Sequence, residues 1–414
     1  MMNFFLLSLN YSPELTGIGK YNGEMCPELV NRSINVSAIV APPYYPEWQV
    51  KSGFSPYTFT TESIDGVKVI RCPLFVPKQV TTLKRIVHLI SFAATSSIAL
   101  LSQVFKRPGV IMLVQPTLFC APFALLFAKL TGAKSVMHIQ DYEVDALFGL
   151  GMMGDGVVSR IAKSIERFLM RRFDAISTIS YSMIENAKAK GVDPDCIIHF
   201  PNWSDIDFVT PQTDGDQLKA EWGFTANDKI ILYAGNIGNK QGLEIVLDAA
   251  KHFASQHNIK FVFVGAGAYV DTLKANAESL ALDNVFFKPL QPWARVPEML
   301  ALADIHLVVQ KKGAADAVLP SKLTNILSAG GHAIVTAEAH TELGQIVAKY
   351  PGIYDCVEPE NTAAFINGLT HLLSRDLSSH STVARQFAEQ FLDKQQIIDK
   401  FVADIKVLVN SDKH

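Results

Sequence analysis

The chain has 414 residues, 49% of them hydrophobic and 19% charged, enough for two or three domains with substantial cores. A formal net charge of −3 argues against a general nucleic-acid binder, which would carry a basic excess. The five cysteines, Cys26, Cys72, Cys120, Cys196 and Cys356, are scattered and form no C-x-x-C pair, so neither a disulfide framework nor a zinc site is indicated and a reducing cytosol fits.

The apolar run at 4–9 has no basic segment before it and no small-residue cleavage site after it, so it reads as a first buried strand rather than a signal peptide. A loop with Gly17 and Gly19 follows, glycines that let backbone approach a ligand closely. Continuous apolar runs at 3–8, 35–41, 110–114, 134–139 and 175–179 are the pattern of strands buried on both faces of a parallel sheet. Residues 86–105 have the length of a bilayer span, but His88 and several Ser and Thr residues favour a buried or groove-facing helix. The strand 134–139 ends in Gln140 and Asp141, where open α/β sheets place ligands, which makes Asp141 a candidate polar site residue. His138, just before, reads as a packed strand residue. Residues 158–173 align Arg160, Lys163, Arg167 and Arg171 on one helical face opposite Val158, Ile161, Ile165, Phe168 and Leu169. Two readings stay open there, a basic face against anionic lipid and a helix packed on its own sheet with a solvated basic face.

A polar stretch at 204–227 reads as a linker, and a second strand-then-glycine opening starts at Lys229. Strands at 230–234, 260–264, 285–287, 305–309, 332–335 and 353–357 alternate with helices, and two polar amphipathic helices at 379–391 and 394–410 end the chain. The two openings together predict two nucleotide-type α/β domains in tandem. In the second, Asn236, Lys240 and Gln241 surround a helix start, and two readings stay open: side chains that join backbone N–H groups on a diphosphate, or an ordinary β–α turn with solvated polar residues. Pro320, Ser321 as a cap and Lys322 form an anion-receptive helix end, with Asn325 one turn on, suited to ribose hydroxyls. Gly265 and Gly267 after the strand 260–264 shape either a base or ribose pocket or a plain turn. Asp205 and Asp207 resemble a metal-binding D-x-D, but no apolar strand immediately precedes them, and no metal is expected.

The order and spacing of the glycine loop at 13–21, Gln140-Asp141, Ser180, Pro201-Asn202, the loop 235–242, Gly265–Gly267, Ala303-Asp304 and 319–330 resemble the GT-B glycosyltransferases of the large retaining family 4. The likeness extends over nearly the whole chain and is narrowest to the exopolysaccharide type exemplified by colanic acid biosynthesis glycosyltransferases. It implies an α/β fold of two facing Rossmann-like domains: an acceptor domain at 1–203, a linker at 204–228, a nucleotide-sugar domain at 229–385, and a C-terminal helix at 386–414 crossing back to the first domain. It also implies no cofactor and no metal, a nucleotide diphosphate sugar as donor with GDP-fucose the first guess and a UDP sugar next, and a lipid-linked oligosaccharide as acceptor. The setting would be the cytoplasm, peripherally on the inner membrane, with retention of configuration. Lys322 and Asp141 take the catalytic places, and Gly17, Gly19, Asn236, Lys240, Gln241, Gly265, Gly267, Asp316, Ser321 and Asn325 the donor site.

The chain departs from the family at several points. The usual glycine-loop arginine and lysine are replaced by Asn236 and Gln241, with Lys240 one residue away. The paired glutamates of the E-x7-E motif fall on Ala317, beside Asp316, and on Asn325, and the frequent first-domain histidine is matched by Gln140. The rival readings are a catalytically inactive membrane scaffold and a nicotinamide-dependent dehydrogenase. The dehydrogenase lacks its G-x-G-x-x-G turn and its acid at the end of the second strand.

Overall fold

Apolar runs become strands because a parallel sheet covered on both faces offers water to neither face. The computed structural model describes residues 2–14, 17–79, 81–142, 144, 156–313 and 319–411. The chain divides into two compact units, Met1–Pro201 with Ile398–His414, and Asn202–Ile397.

The first unit carries β1 (Asn3–Ser8), β2 (Asn35–Val40), β3 (Thr60–Ile64), β4 (Val67–Arg71), β5 (Val110–Val114), β6 (Lys134–Ile139), β7 (Ala175–Thr178) and β8 (Ile197–His199). They lie in the order β3-β4-β2-β1-β5-β6-β7-β8, all parallel except the β3–β4 pair. β3 and β4 were not expected. A two-residue turn at Asp65 (φ 49°) and Gly66 (φ 78°) joins them, both residues left-handed as such a hairpin requires. The last helix, Lys394–Asn410, enters this unit from Ile398 onward. Its Phe401 stacks on Phe200 at 4.1 Å and meets Phe4 edge-on, while Asp399 pairs with Arg32 at 2.6 Å.

The second unit carries β9 (Lys229–Ala234), β10 (Ile259–Val264), β11 (Val285–Lys288), β12 (Ile305–Val308), β13 (Ala333–Thr336) and β14 (Asp355–Val357), in the all-parallel order β11-β10-β9-β12-β13-β14. This is the doubly wound 3-2-1-4-5-6 pattern, with its switch point between β9 and β12. Residues 204–227, expected to be a linker, pack instead within this unit. Val209 and Leu218 are buried, and Gly215 sits so close to Leu302 that a Cβ would lie 2.2 Å from its nitrogen. The boundary expected at 385/386 falls inside the helix Thr382–Phe391, which stays in the second unit and buries Ala384 and Ala388.

Two helices of the first unit differ from expectation, the first only in its ends and the second in the face it buries. Thr82–Leu101, shifted from the expected 86–105, is the one helix among the described residues long and apolar enough to cross a bilayer. His88, Leu89, Phe92, Ala93 and Leu100 are nevertheless buried within the unit. In Val157–Met170 the buried residues are Ser159, Glu166, Leu169 and Met170, while Val158, Ile161, Ile165 and Phe168 are half or more exposed. The apolar stripe therefore faces outward, because Glu166 turns inward to pair with buried Lys190.

His138 and His306 are each 2% exposed, and burial lowers their pKa to about 3 and about 4. A histidine whose folded value lies below 6.5 takes its proton only in the unfolded chain, so stability falls as pH drops below 6.5, by up to roughly 2 kcal/mol per residue at pH 5. Urea midpoints at pH 7.5 and 5.0 should show this loss, and His306→Leu should reduce it; an equal loss in the variant would remove His306 from the account.

Candidate functional site

The end of β9 is closely constrained backbone. Gly235 N donates to Val264 O at 2.9 Å and Ile237 N to Ala266 O at 2.9 Å, so pairing with the β10 side continues past both strands. That approach leaves no room at two glycines. A Cβ on Gly265 would stand 1.9 Å from Gly235 O, and one on Gly267 (φ 155°) 2.2 Å from Ile237 O. Gly265 and Gly267 thus seat the Gly235–Gly238 turn, rather than opening room of their own.

Lys322 completes this corner. It is the second residue of the helix Ser321–Ser328, and its Nζ lies 4.1 Å from the centre of the Tyr233 ring. Its side chain passes over Gly235, with Nζ 3.9 Å from where a Cβ would be. Although the residue keeps part of its surface, burial of the amine lowers its pKa to about 7. The Tyr233 hydroxyl donates to Asn236 O at 2.6 Å, so one ring supports both the cation and the turn. Tyr233 was missed in the sequence. Its signal was an aromatic hydroxyl at the end of the aliphatic run Ile230–Leu232, two residues before the glycine turn.

The other expected donor residues divide. Asn236 and Lys240 are exposed beside the turn. Gln241 is occupied, its Oε1 accepting from Gly238 N at 3.0 Å. Ser321 does not cap its helix: Pro320 holds the cap position, without a side-chain bond, and Ser321 is an exposed first residue. Asn325 Oδ1 accepts from Ser204 Oγ at 2.9 Å, which ties residue 204 to the helix. Asp316 and Ala317 lie outside the described residues. Asp205 accepts from Lys394 and from Phe208 N, and no group of three or more His, Cys, Asp or Glu is placed to hold a metal among the described residues.

In the first unit, Asp141 is exposed just past β6. Gln140 Nε2 lies 2.9 Å from His138 Nε2, and His138 Nδ1 lies 2.7 Å from Ser177 Oγ. Because the amide donates, the imidazole is neutral with its proton on Nδ1. His138 is a packed residue, as expected. Gly17 (φ 56°) opens the first helix in a left-handed conformation with no atom near its missing Cβ. Gly19 instead makes room for Glu14, whose Oε2 lies 2.7 Å from where a Cβ would stand.

Residues 16–203 match the model described as Glycosyl transferase 4-like domain, and residues 214–390 the model described as Glycosyl transferases group 1. The chain is 48% identical over 410 residues to the "Putative colanic acid biosynthesis glycosyl transferase WcaI" of Escherichia coli (strain K12), covering 98% of this chain and 100% of the relative. It is 25% identical to the "Probable glycosyltransferase WbjE" of Pseudomonas aeruginosa, over 77% of this chain and 79% of that one. Among solved structures, sucrose-phosphate synthase from Thermosynechococcus elongatus superposes with a TM-score of 0.78 at 12% identity, over 100% of both chains. Anabaena Alr3699/HepE in complex with UDP gives 0.70 at 13% identity, over 98% of this chain and 100% of that one. At such identities the structures speak for the fold, while the family models and the 48% relative speak for descent. The chain belongs to the family 4 glycosyltransferases of the GT-B fold.

Proposed function

We propose that this glycosyltransferase moves a sugar from a nucleotide diphosphate sugar to a lipid-linked oligosaccharide during exopolysaccharide synthesis of the colanic acid type. The observation that carries the donor half is the Lys322 ammonium, held over Tyr233 and Gly235 at the start of a helix beside the switch point of the second sheet. There a diphosphate meets a cation, the helix's unpaired N–H groups and the positive end of its dipole together, with no metal needed to offset its charge. The 48% relative, named for colanic acid biosynthesis, supports the pathway. GDP-fucose ranks first as donor and a UDP sugar second, on the family resemblance.

In this reading Lys322 stabilises negative charge as the sugar–diphosphate bond breaks, with Asn236 and Lys240 beside the phosphates. Retention follows if the departing diphosphate takes the proton of a hydroxyl attacking from its own face of the sugar. Asp141, at the carboxyl edge of the first sheet, serves the acceptor.

A lipid-linked acceptor calls for a membrane surface, and we place the enzyme peripherally on the cytoplasmic face of the inner membrane. The outward stripe of Val157–Met170 supports this, with Val157 64%, Ile161 53% and Phe168 56% exposed. Arg160, Arg167 and Arg171 are exposed alongside, and the Arg172 guanidinium lies 3.9 Å from the centre of the Phe168 ring. Apolar residues that insert, flanked by cations that meet phosphate, match an anionic interface.

Thermal-shift titration with GDP and UDP should show stabilisation by one of them without Mg²⁺, weakened roughly tenfold or more in Lys322→Ala by loss of a charge-assisted contact. An unchanged affinity in the variant would remove Lys322 from the phosphates. Vesicle sedimentation should show binding to phosphatidylglycerol over phosphatidylcholine, lost in Ile161→Asp with Phe168→Asp. Equal binding by the double variant would refute this docking face.

A further inference from the structure

Beyond the donor site, the buried polar groups of the first unit converge on one loop. Residues 41–51 follow β2 at the carboxyl edge of the parallel sheet, the edge at which open α/β sheets receive ligands. Glu14 holds this loop: its Oε1 accepts from the consecutive backbone N–H groups of Tyr44 and Tyr45, each at 2.9 Å. Its Oε2 accepts from Asn10 Nδ2 at 2.9 Å, and the residue is only 2% exposed. The loop also closes on itself, through Gln49 N to Tyr44 O at 3.2 Å and Lys51 N to Pro43 O at 3.0 Å.

A second support comes from the helix Thr82–Leu101. His88 Nδ1 lies 2.6 Å from Phe75 O, which only accepts, so that nitrogen carries the proton and Nε2 receives the Tyr44 hydroxyl at 3.1 Å. Trp48 packs against both rings, 5.6 Å from Tyr44 and 5.2 Å from His88. Its φ is 54°, a left-handed conformation that a bulky residue keeps only where its surroundings over-determine it, as at ligand clamps. Trp48 remains partly exposed, and Tyr45, three residues before it in the same loop, is 39% exposed.

A held, partly open indole with a second exposed ring on the same anchored loop suits one kind of partner in a sugar-transferring enzyme. The C–H face of a pyranose is apolar and carries slightly positive hydrogens, which settle on the electron-rich face of an indole or phenol. We propose that Trp48 and Tyr45 form the platform on which a pyranose ring of the acceptor stacks, with Glu14 a positioning residue that holds the loop without touching the sugar. This rests on the glycosyl-transfer reading above.

Saturation-transfer NMR on the full chain, with the methyl glycosides of glucose, galactose and fucose as probes, tests it. The wild type should pass saturation to the ring C–H protons of at least one probe. The transfer should fall about fivefold in Trp48→Ala, the size of one lost stacking contact, and persist in Trp48→Phe. Tyr45→Ala, at an exposed site, should fall likewise and covers the case in which Trp48→Ala does not fold. Glu14→Ala should lose the signal, while Glu14→Gln, which keeps an oxygen for the two N–H groups, should retain it. No transfer to the wild type as the sugars approach their solubility, or transfer undiminished from the wild-type level in Trp48→Ala and Tyr45→Ala, overturns the platform. GDP or UDP stabilisation is read on the same variants and should be unchanged. Absence of nucleotide binding in the wild type would strike the transferase reading separately.

Discussion

The corner formed by the Gly235–Gly238 turn and Lys322 depends on one close approach, the continuation of backbone pairing between the β9 and β10 sides after both strands have ended. Tyr233 and Ala234 stand opposite Phe263 and Val264 in register, and the bonds from Gly235 N and Ile237 N carry that register into the turns. With the two chains this near, a side chain at 265 or 267 would have to enter a carbonyl oxygen. The turn is thereby rigid before any ligand arrives, and Tyr233, rooted in the strand, passes the rigidity to Lys322. Preorganisation of this kind matters because dipoles already in place need not reorient as charge develops.

Much of this was legible from the sequence, for a physical reason. Strands buried on both faces must be apolar throughout, so β1, β5 and β6 were placed with the ends they have in the structure. β3 escaped because an edge strand is exposed and polar, and β4, although buried, because its short run is broken by Lys68 and Arg71; Asp65-Gly66 was the signal that would have marked the hairpin. The segment 204–227 escaped for a related reason: its polar residues advertise a linker, while the few apolar ones, Val209, Leu218 and Phe224, bind it to the second unit.

Side-chain roles were less legible than positions. Periodicity located the amphipathic helix at Val157–Met170 but not which stripe faced outward, since that turned on the burial of Glu166 with Lys190, a partner 24 residues away. Gln241 and Gly19 lay where the family places ligand contacts, yet each serves the loop itself, Gln241 by capping Gly238 and Gly19 by admitting Glu14. A turn needs its own hydrogen bonds satisfied before it can offer any to a ligand, and spacing in a sequence does not separate the two uses.

The setting of Lys322 has a further consequence. An amine whose pKa is lowered to about 7 by burial is, at neutral pH, cationic in roughly half the molecules, so its charge is not a fixed property of the free protein. An anion that settles beside it selects the cationic form and draws the balance of the proton from solution. Under the proposed role of Lys322, capture of the donor at neutral pH would also be an act of proton uptake, and the heat it releases would vary with the ionisation enthalpy of the surrounding buffer.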